Sequence, residues 1–216
     1  MLTHYQPVYT FARSLRKSSL SKKVDKWQKK KNTQTFVADM LKNAAKFGMR
    51  ACKVNKAIGK GLITRNGIPK GKQFGLYYGE LTSIKAVKNP QGDYLMHFPH
   101  FKKPSRLILD GESKIISGKV EHSNISYANH SCRKYNCEMV SVQVGWGAFI
   151  VLQSIKRIAP GEPLLVNYDH AYDTKHPYWQ RETYAGEARD TATERVMRCM
   201  CKTPRCPFLC YRMVDK

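Results

Sequence analysis

The chain has 216 residues, enough for one main domain with an appended segment, and its 42% hydrophobic content is enough for a core. A formal charge of +22 and a pI near 9.8 give a surface drawn to polyanions such as nucleic acid, acidic proteins or anionic membrane. There is no run of about 18 apolar residues for a spanning helix, Met1 to Thr10 lacks the pattern of a secretory signal, and seven Cys, an odd number, argue for metal binding or free thiols over a complete disulfide framework.

Residues 1–50 read as a basic extension. They hold 12 Lys and Arg against Asp25 and Asp39, densest at Lys22-Lys23-Val24-Asp25-Lys26 and Lys29-Lys30-Lys31. The run reads either as a solvated, flexible tail or as a nuclear-localisation or phosphate-binding patch, and the two can coexist. Trp27 among the lysines either stacks on a base or lies on the domain surface. Phe36, Met40, Ala44 and Phe47 recur at near-helical spacing with Gly48 as a stop, which predicts a short amphipathic helix packed on the following domain.

From residue 51 the pattern changes to short strands and glycine turns. Gly59-Lys60-Gly61 leads into Leu62-Ile63-Thr64, and Asn66-Gly67-Ile68-Pro69-Lys70-Gly71 follows. No convincing helix comes after the Gly-x-Gly, so a dinucleotide-binding reading fails. Next come Tyr77-Tyr78-Gly79-Glu80, Asp93-Tyr94-Leu95-Met96, a Pro- and Lys-rich loop from Pro99 to Arg106, and a strand entering a turn at Leu107-Ile108-Leu109-Asp110-Gly111. Taken singly, each tyrosine reads equally well as sheet-face packing. The string Ser126-Tyr127-Ala128-Asn129-His130-Ser131-Cys132 is followed by Asn136-Cys137, then by apolar, β-prone residues from Val142 to Leu152 bent at Gly145 and Gly147. Ile155 to Tyr168 carries Ala159-Pro160-Gly161-Glu162 before Leu164-Leu165-Val166-Asn167-Tyr168. Glu182 to Met197 is polar and reads as a helix broken at Gly186. The tail then carries Cys199-Met200-Cys201-Lys202-Thr203-Pro204-Arg205-Cys206, a Cys-x-Cys-x4-Cys string.

Together these elements, over roughly residues 51–210, resemble SET-domain lysine methyltransferases with a cysteine-rich post-SET segment; six of them occur in family order. The resemblance implies an α+β, mostly β fold of small sheets, with knot-like C-terminal threading and a zinc-bound C-terminal segment. It divides the chain into a basic N-terminal extension (1–50), the SET domain (51–172) and a post-SET segment (173–216). It implies that Gly59, Lys60, Gly61, Tyr94, Asn129, His130 and Tyr172 bind S-adenosylmethionine. Glycine suits close approach to a ligand because it has no Cβ, and the Asn129 amide offers donors and an acceptor for an amino-acid moiety. The His130 contact is largely through its backbone, so His130 is not assigned as a general base. Ser126 stands where many members carry an Arg, which leaves one supporting contact in question. Tyr172 and Trp179 are candidates to cover the adenine.

Tyr168 and Tyr77 are the implied catalytic pair, with Tyr77 lining the channel for the substrate lysine. Methyl transfer from a sulfonium to an amine needs the amine neutral, in line and dry. A free lysine, with a pKa near 10.4, is about one part in a thousand neutral at pH 7. An aromatic channel and the positive sulfur both lower that pKa. No carboxylate base is then required, and a Tyr hydroxyl that orients the amine contributes through positioning. Val166, two residues before Tyr168, carries no hydroxyl to crowd the channel, which favours more than one methylation.

Cys199, Cys201 and Cys206 cannot by themselves close a tetrahedral zinc site. The resemblance supplies Cys132 as fourth ligand of a structural zinc. Cys210 and free thiols are the alternatives. A histone in nucleosomes is the implied substrate, in the nucleus, with nucleosomal DNA held by the basic extension and no membrane partner. Glu80, Asp110, Glu112 and Glu138 are candidates for an acidic groove that takes a basic tail. The competing readings are a non-enzymatic SET-like chromatin- or DNA-binding module and a methyltransferase of a non-histone protein.

Overall fold

Glycines and prolines cut the chain into short extended segments, and two N-terminal helices close one side of what they build. A computed structural model describes residues 7–55, 59–83, 95–97, 107–111, 125–168, 194–198 and 209–213. The chain opens with strand β1 (Tyr9–Phe11), helix α1 (Ser19–Gln28) and helix α2 (Lys31–Lys46). Ser18 caps α1, its hydroxyl accepting from the Ser21 N–H at 3.1 Å. The expected amphipathic helix is α2, which buries Met40 and Ala44 and ends where Gly48 turns the chain at φ +60°. A Cβ there would also sit 2.6 Å from the Arg65 Cβ, so glycine is required twice over.

Among the described residues ten further strands follow before residue 168. They are β2 (Arg50–Asn55), β3 (Gly59–Ile63), β4 (Gln73–Phe74), β5 (Gly79–Ser83), β6 (Leu95–His97), β7 (Leu107–Asp110), β8 (Asn129–His130), β9 (Cys137–Val144), β10 (Gly147–Ser154) and β11 (Pro163–Val166). They form a four-stranded sheet in the order β1-β5-β7-β6 and a larger one in the order β2-β3-β11-β9-β10-β4, with β8 also paired to β11. The mostly β class and the small sheets are those expected from the sequence. β9 and β10 form a hairpin turning at Gly145-Trp146, with Gly145 at φ +63°. Nearly all of β10 is buried, and it shares one core with Leu62, Phe74, Leu76, Leu81, Leu109, Ile125, Leu164 and Val166.

Trp27 corrects the sequence reading. It is 2% exposed, neither on the surface nor open to a base. Its ring stacks on Phe149 at 4.7 Å, and its Nε1 donates to the Val144 carbonyl at 2.7 Å. Gly147 makes room, since a Cβ there would lie 2.2 Å from the indole. The reason is helical spacing. Val24, Trp27 and Gln28 fall on one face of α1, while the lysines around them fall on the other. Gln28 extends the docking by donating to the Tyr9 carbonyl at 3.0 Å and accepting its N–H at 2.9 Å, as a neighbouring strand would.

A second correction concerns Glu194–Arg198. The sequence reading ends a helix there, but the segment is strand β12, antiparallel to β13 (Leu209–Met213), with Met197 opposite Cys210. The partner strand supplies the hydrogen bonds that a polar sequence without clear period does not specify.

Candidate active site

The site is built where β11 meets β8. Leu165 lies beside Asn129 and Val166 beside His130 in a parallel pairing, while Val166 also pairs with Cys137 of β9. The Ser131 N–H donates to the Val166 carbonyl at 2.8 Å, and the Asn136 N–H donates to the Leu165 carbonyl at 3.0 Å. Successive carbonyls of a strand point to opposite edges. Residues 131–136 therefore carry the chain across β11, from the β8 edge to the β9 edge.

This arrangement brings four of the expected residues together. The Asn129 Nδ2 donates to the Lys60 carbonyl at 3.1 Å, which ties the signature strand to the Gly59-Lys60-Gly61 segment. Gly61 has to be glycine, because a Cβ there would lie 2.8 Å from the Asn129 Nδ2 and 2.7 Å from Val54. Gly59 takes φ +77° with no described atom within 4 Å of where a Cβ would stand. The Lys60 Nζ lies 5.3 Å from the centre of the Tyr127 ring, within range of a cation–π contact.

Tyr168 follows β11 and turns back onto β8. Its hydroxyl donates to the Ala128 carbonyl at 3.2 Å, next to Asn129, and its N–H donates to the His130 Nδ1 at 3.1 Å. The two rings lie 5.1 Å apart. His130 thus holds the backbone of Tyr168 through Nδ1.

Tyr77 is buried in the connection between β4 and β5, its N–H donating to the Ile150 carbonyl at 2.9 Å. Its hydroxyl end sits over Gly111, where a Cβ would lie 3.1 Å from the oxygen. The neighbouring Leu76 carbonyl accepts from the Ile125 N–H at 3.1 Å, which joins this connection to the 3-10 turn Ile125–Tyr127 leading into the signature strand. Glu80 and Asp110 stand opposite each other on β5 and β7. Glu138 is on β9 in the other sheet, where its Oε1 accepts from the Gln153 Nε2 at 2.9 Å, so it does not join that pair.

Two residues given no role from the sequence hold β11 in place. The Asn136 Nδ2 donates to the Glu162 Oε1 at 3.0 Å and to the Pro163 carbonyl at 2.8 Å, and its Oδ1 accepts the Leu165 N–H at 2.9 Å. The Glu162 Oε2 accepts the Ala159 N–H at 2.8 Å and closes the turn that starts β11. Their signal was present, since Asn136 belongs to the Asn-Cys string and Glu162 to the Gly-Glu pair. Cys137 is buried, and its thiol is pushed up to about 12, mostly by burial and then by the Glu162 charge, with Lys156 opposing. Cys132 is partly exposed in the turn after β8. Tyr94, Glu112, Tyr172, Trp179, Cys199, Cys201 and Cys206 lie outside the described residues.

Residues 59–169, just over half of the chain, match the family described as SET domain. Three solved structures are similar. A humanized mutant of the Chaetomium thermophilum Polycomb Repressive Complex 2 bound to an inhibitor is 25% identical over 58% of this chain and 15% of that chain, with TM-score 0.44. ATXR5 in complex with a mono-methylated histone H3.1 is 18% identical over 68% of each chain, with TM-score 0.49. KRYPTONITE in complex with mCHG DNA and SAH is 17% identical over 76% of this chain and 29% of that chain, with TM-score 0.50; this is a likeness of fold. The chain thus spans less than a third of the first and of the third of these chains. No protein of curated function matches it.

Proposed function

The chain belongs to the SET-domain family, and on that premise we propose that it is a protein-lysine N-methyltransferase acting on a histone tail of chromatin in the nucleus. S-adenosylmethionine would supply an electrophilic methyl group on a sulfonium. The residues present fit that cofactor. Asn129, fixed by its bond to Lys60, keeps an Oδ1 that accepts no hydrogen bond among the described residues and suits an ammonium donor. Lys60 offers a cation for a carboxylate beside Tyr127. Gly59 and Gly61 leave their backbone open to close approach. Ser126, where many members carry an Arg, is buried in the 3-10 turn. The Lys60 ammonium provides positive charge next door, which weakens the reading of a scaffold without cofactor.

The observation that carries the proposal is Tyr168. Its hydroxyl is held against the Ala128 carbonyl, one residue from Asn129, and its backbone against His130. In this reading the phenol orients a neutral amine, Tyr77 lines the approach, and water takes the proton. Burial around the channel favours the neutral amine. Glu80 and Asp110 face each other across β5 and β7, with Gly111 next in the chain against the Tyr77 ring, and they suit a basic peptide. A structural zinc would be held by Cys132 with Cys199, Cys201 and Cys206. Of these four only Cys132 is among the described residues, and it is partly exposed in the turn after β8.

Transfer of labelled methyl to recombinant nucleosomes, run beside a Tyr168→Phe variant, tests the reading. We expect label in a histone with the natural sequence and a drop of at least about 100-fold in the variant, with cofactor binding by calorimetry retained. Cofactor binding without histone label would direct the search to another protein substrate. Neither binding nor label would replace the enzyme by a binding module.

A further inference from the structure

Every Lys and Arg of residues 1–50 is exposed, and on α1 the exposure is ordered. Val24, Trp27 and Gln28 face the core, while Lys22, Lys26 and Lys29 form a stripe on the opposite side, about 10 Å long at the helical rise per residue. Lys30 and Lys31 carry the charge across the junction into α2, where they are the N-cap and the first residue. Cations there oppose the helix dipole, and neither helix has an acid in its first turn. Helix stability therefore does not account for Lys30 and Lys31, whereas Lys26 and Lys29 stand at the C-terminal end of α1, where the dipole favours a cation. The base beneath it is rigid, because Trp27 is locked to Phe149 and Val144 and Gln28 is bonded to Tyr9. The family match begins at residue 59, so this face lies outside it.

We propose that the α1–α2 face binds the phosphate backbone of double-stranded nucleic acid without sequence preference. The lysines stand at fixed spacing along one helix face, which is the footprint of backbone contact. The stripe carries no apolar side chain to insert into a membrane. Lysine is depleted from the cores of protein–protein interfaces, which disfavours an acidic protein. No Arg, Asn or Gln shares the stripe to read base edges, and the aromatic of the same helix, Trp27, is buried on the opposite face and unable to stack on a single strand. Trp146, 37% exposed at the hairpin tip and edge-on to Trp27, is the flanking aromatic.

The face sits at one end of a hairpin whose other end builds the site. Trp27 is bonded to Val144, the last residue of β9, while Cys137, the first, pairs with Val166 of β11. Seven residue steps of strand, about 23 Å, separate them. Charge on the face can therefore be changed without touching Asn129 or Tyr168.

The test uses the full chain with Lys22→Glu, Lys26→Glu and Lys29→Glu together. A control with the same change in net charge reverses Lys70, Lys72 and Lys156, exposed at the turns near Ser154. Binding of a short random duplex, the matching single strand and a polyglutamate peptide is followed by fluorescence anisotropy against salt. The α1 variant is expected to lose at least about tenfold in duplex affinity, with the log–log salt slope reduced by roughly 0.9 for each phosphate contact removed. The control is expected to keep most of the affinity, and both variants to keep their melting temperature and cofactor binding. Equal losses in the two variants would reduce the face to bulk charge and overturn the proposal. Polyglutamate bound as tightly as duplex would overturn it in favour of an acidic protein. A preference for single strand that disappears in Trp146→Ala would overturn the duplex assignment.

Discussion

Asn136 donates twice and accepts once through its side chain, and its backbone N–H donates to the Leu165 carbonyl, all to the strand or turn that delivers Tyr168. Removing the amide in Asn136→Ala leaves the Leu165 N–H and the Pro163 carbonyl in a part-buried site without that partner. Each such loss costs about 1–3 kcal/mol, so urea unfolding should show a drop of several kcal/mol, and cofactor binding should weaken although Asn136 is not assigned to the cofactor. Cys137 makes a prediction in pH. Its thiol is raised from an ordinary 9.0 to about 12, so its contribution to stability is whole below pH 9 and lost as pH rises towards 12. Tyr9, fully buried, has its phenol raised by burial as well and adds to the same alkaline loss. Chemical denaturation across pH 8 to 11 should show stability falling, and a smaller fall in Cys137→Ala; a flat profile would contradict the burial argument. At this scale the site residues near one another in sequence were legible. Asn129, His130 and Tyr168 were picked out by residue type and a local string, and the structure brings them side by side. The Asn136–Glu162 bond was not legible, because no string states which carboxylate a buried amide meets 26 residues away.

The N-terminal helices show what periodicity can and cannot tell. α2 was readable because its apolar residues recur on one face and a glycine ends it. The burial of α1 was not, since a lysine-rich decapeptide with one tryptophan reads as surface until β10 offers Phe149 and a glycine beneath the indole. β12 was misread for a related reason: a polar segment takes its conformation from its neighbour. The Trp27 socket is testable from both sides. Trp27→Ala should cost about 3–5 kcal/mol. Gly147→Ala, which places a methyl against the indole, should cost about 1–3 kcal/mol as overpacking. Thermal melts of both variants decide it; near-wild-type stability of either would mean that the helices are loosely attached.

At the scale of the whole molecule the excess of positive charge has to be reconciled with the basic substrate proposed above. A formal +22 repels a histone tail everywhere except at a local acid pair such as Glu80 and Asp110. Attachment to nucleosomal DNA would raise the effective concentration of the tail at the site. The expected outcome is faster methylation of nucleosomes than of free histone, with the advantage falling steeply as salt rises. Rates measured on both substrates over a salt series check this, and equal, salt-insensitive rates would remove the DNA from the account. The crossing of residues 131–136 over β11 also has a kinetic side. Among the described residues β8 has no strand to lie beside until β11 is in place, and along that same edge β11 pairs with β3, a hundred residues earlier in the chain. Such non-local contacts are slow to form because the loops between them must close first. We therefore expect β8 and Tyr168 to come together late in folding, after the β9–β10 hairpin, whose partners are adjacent in the chain.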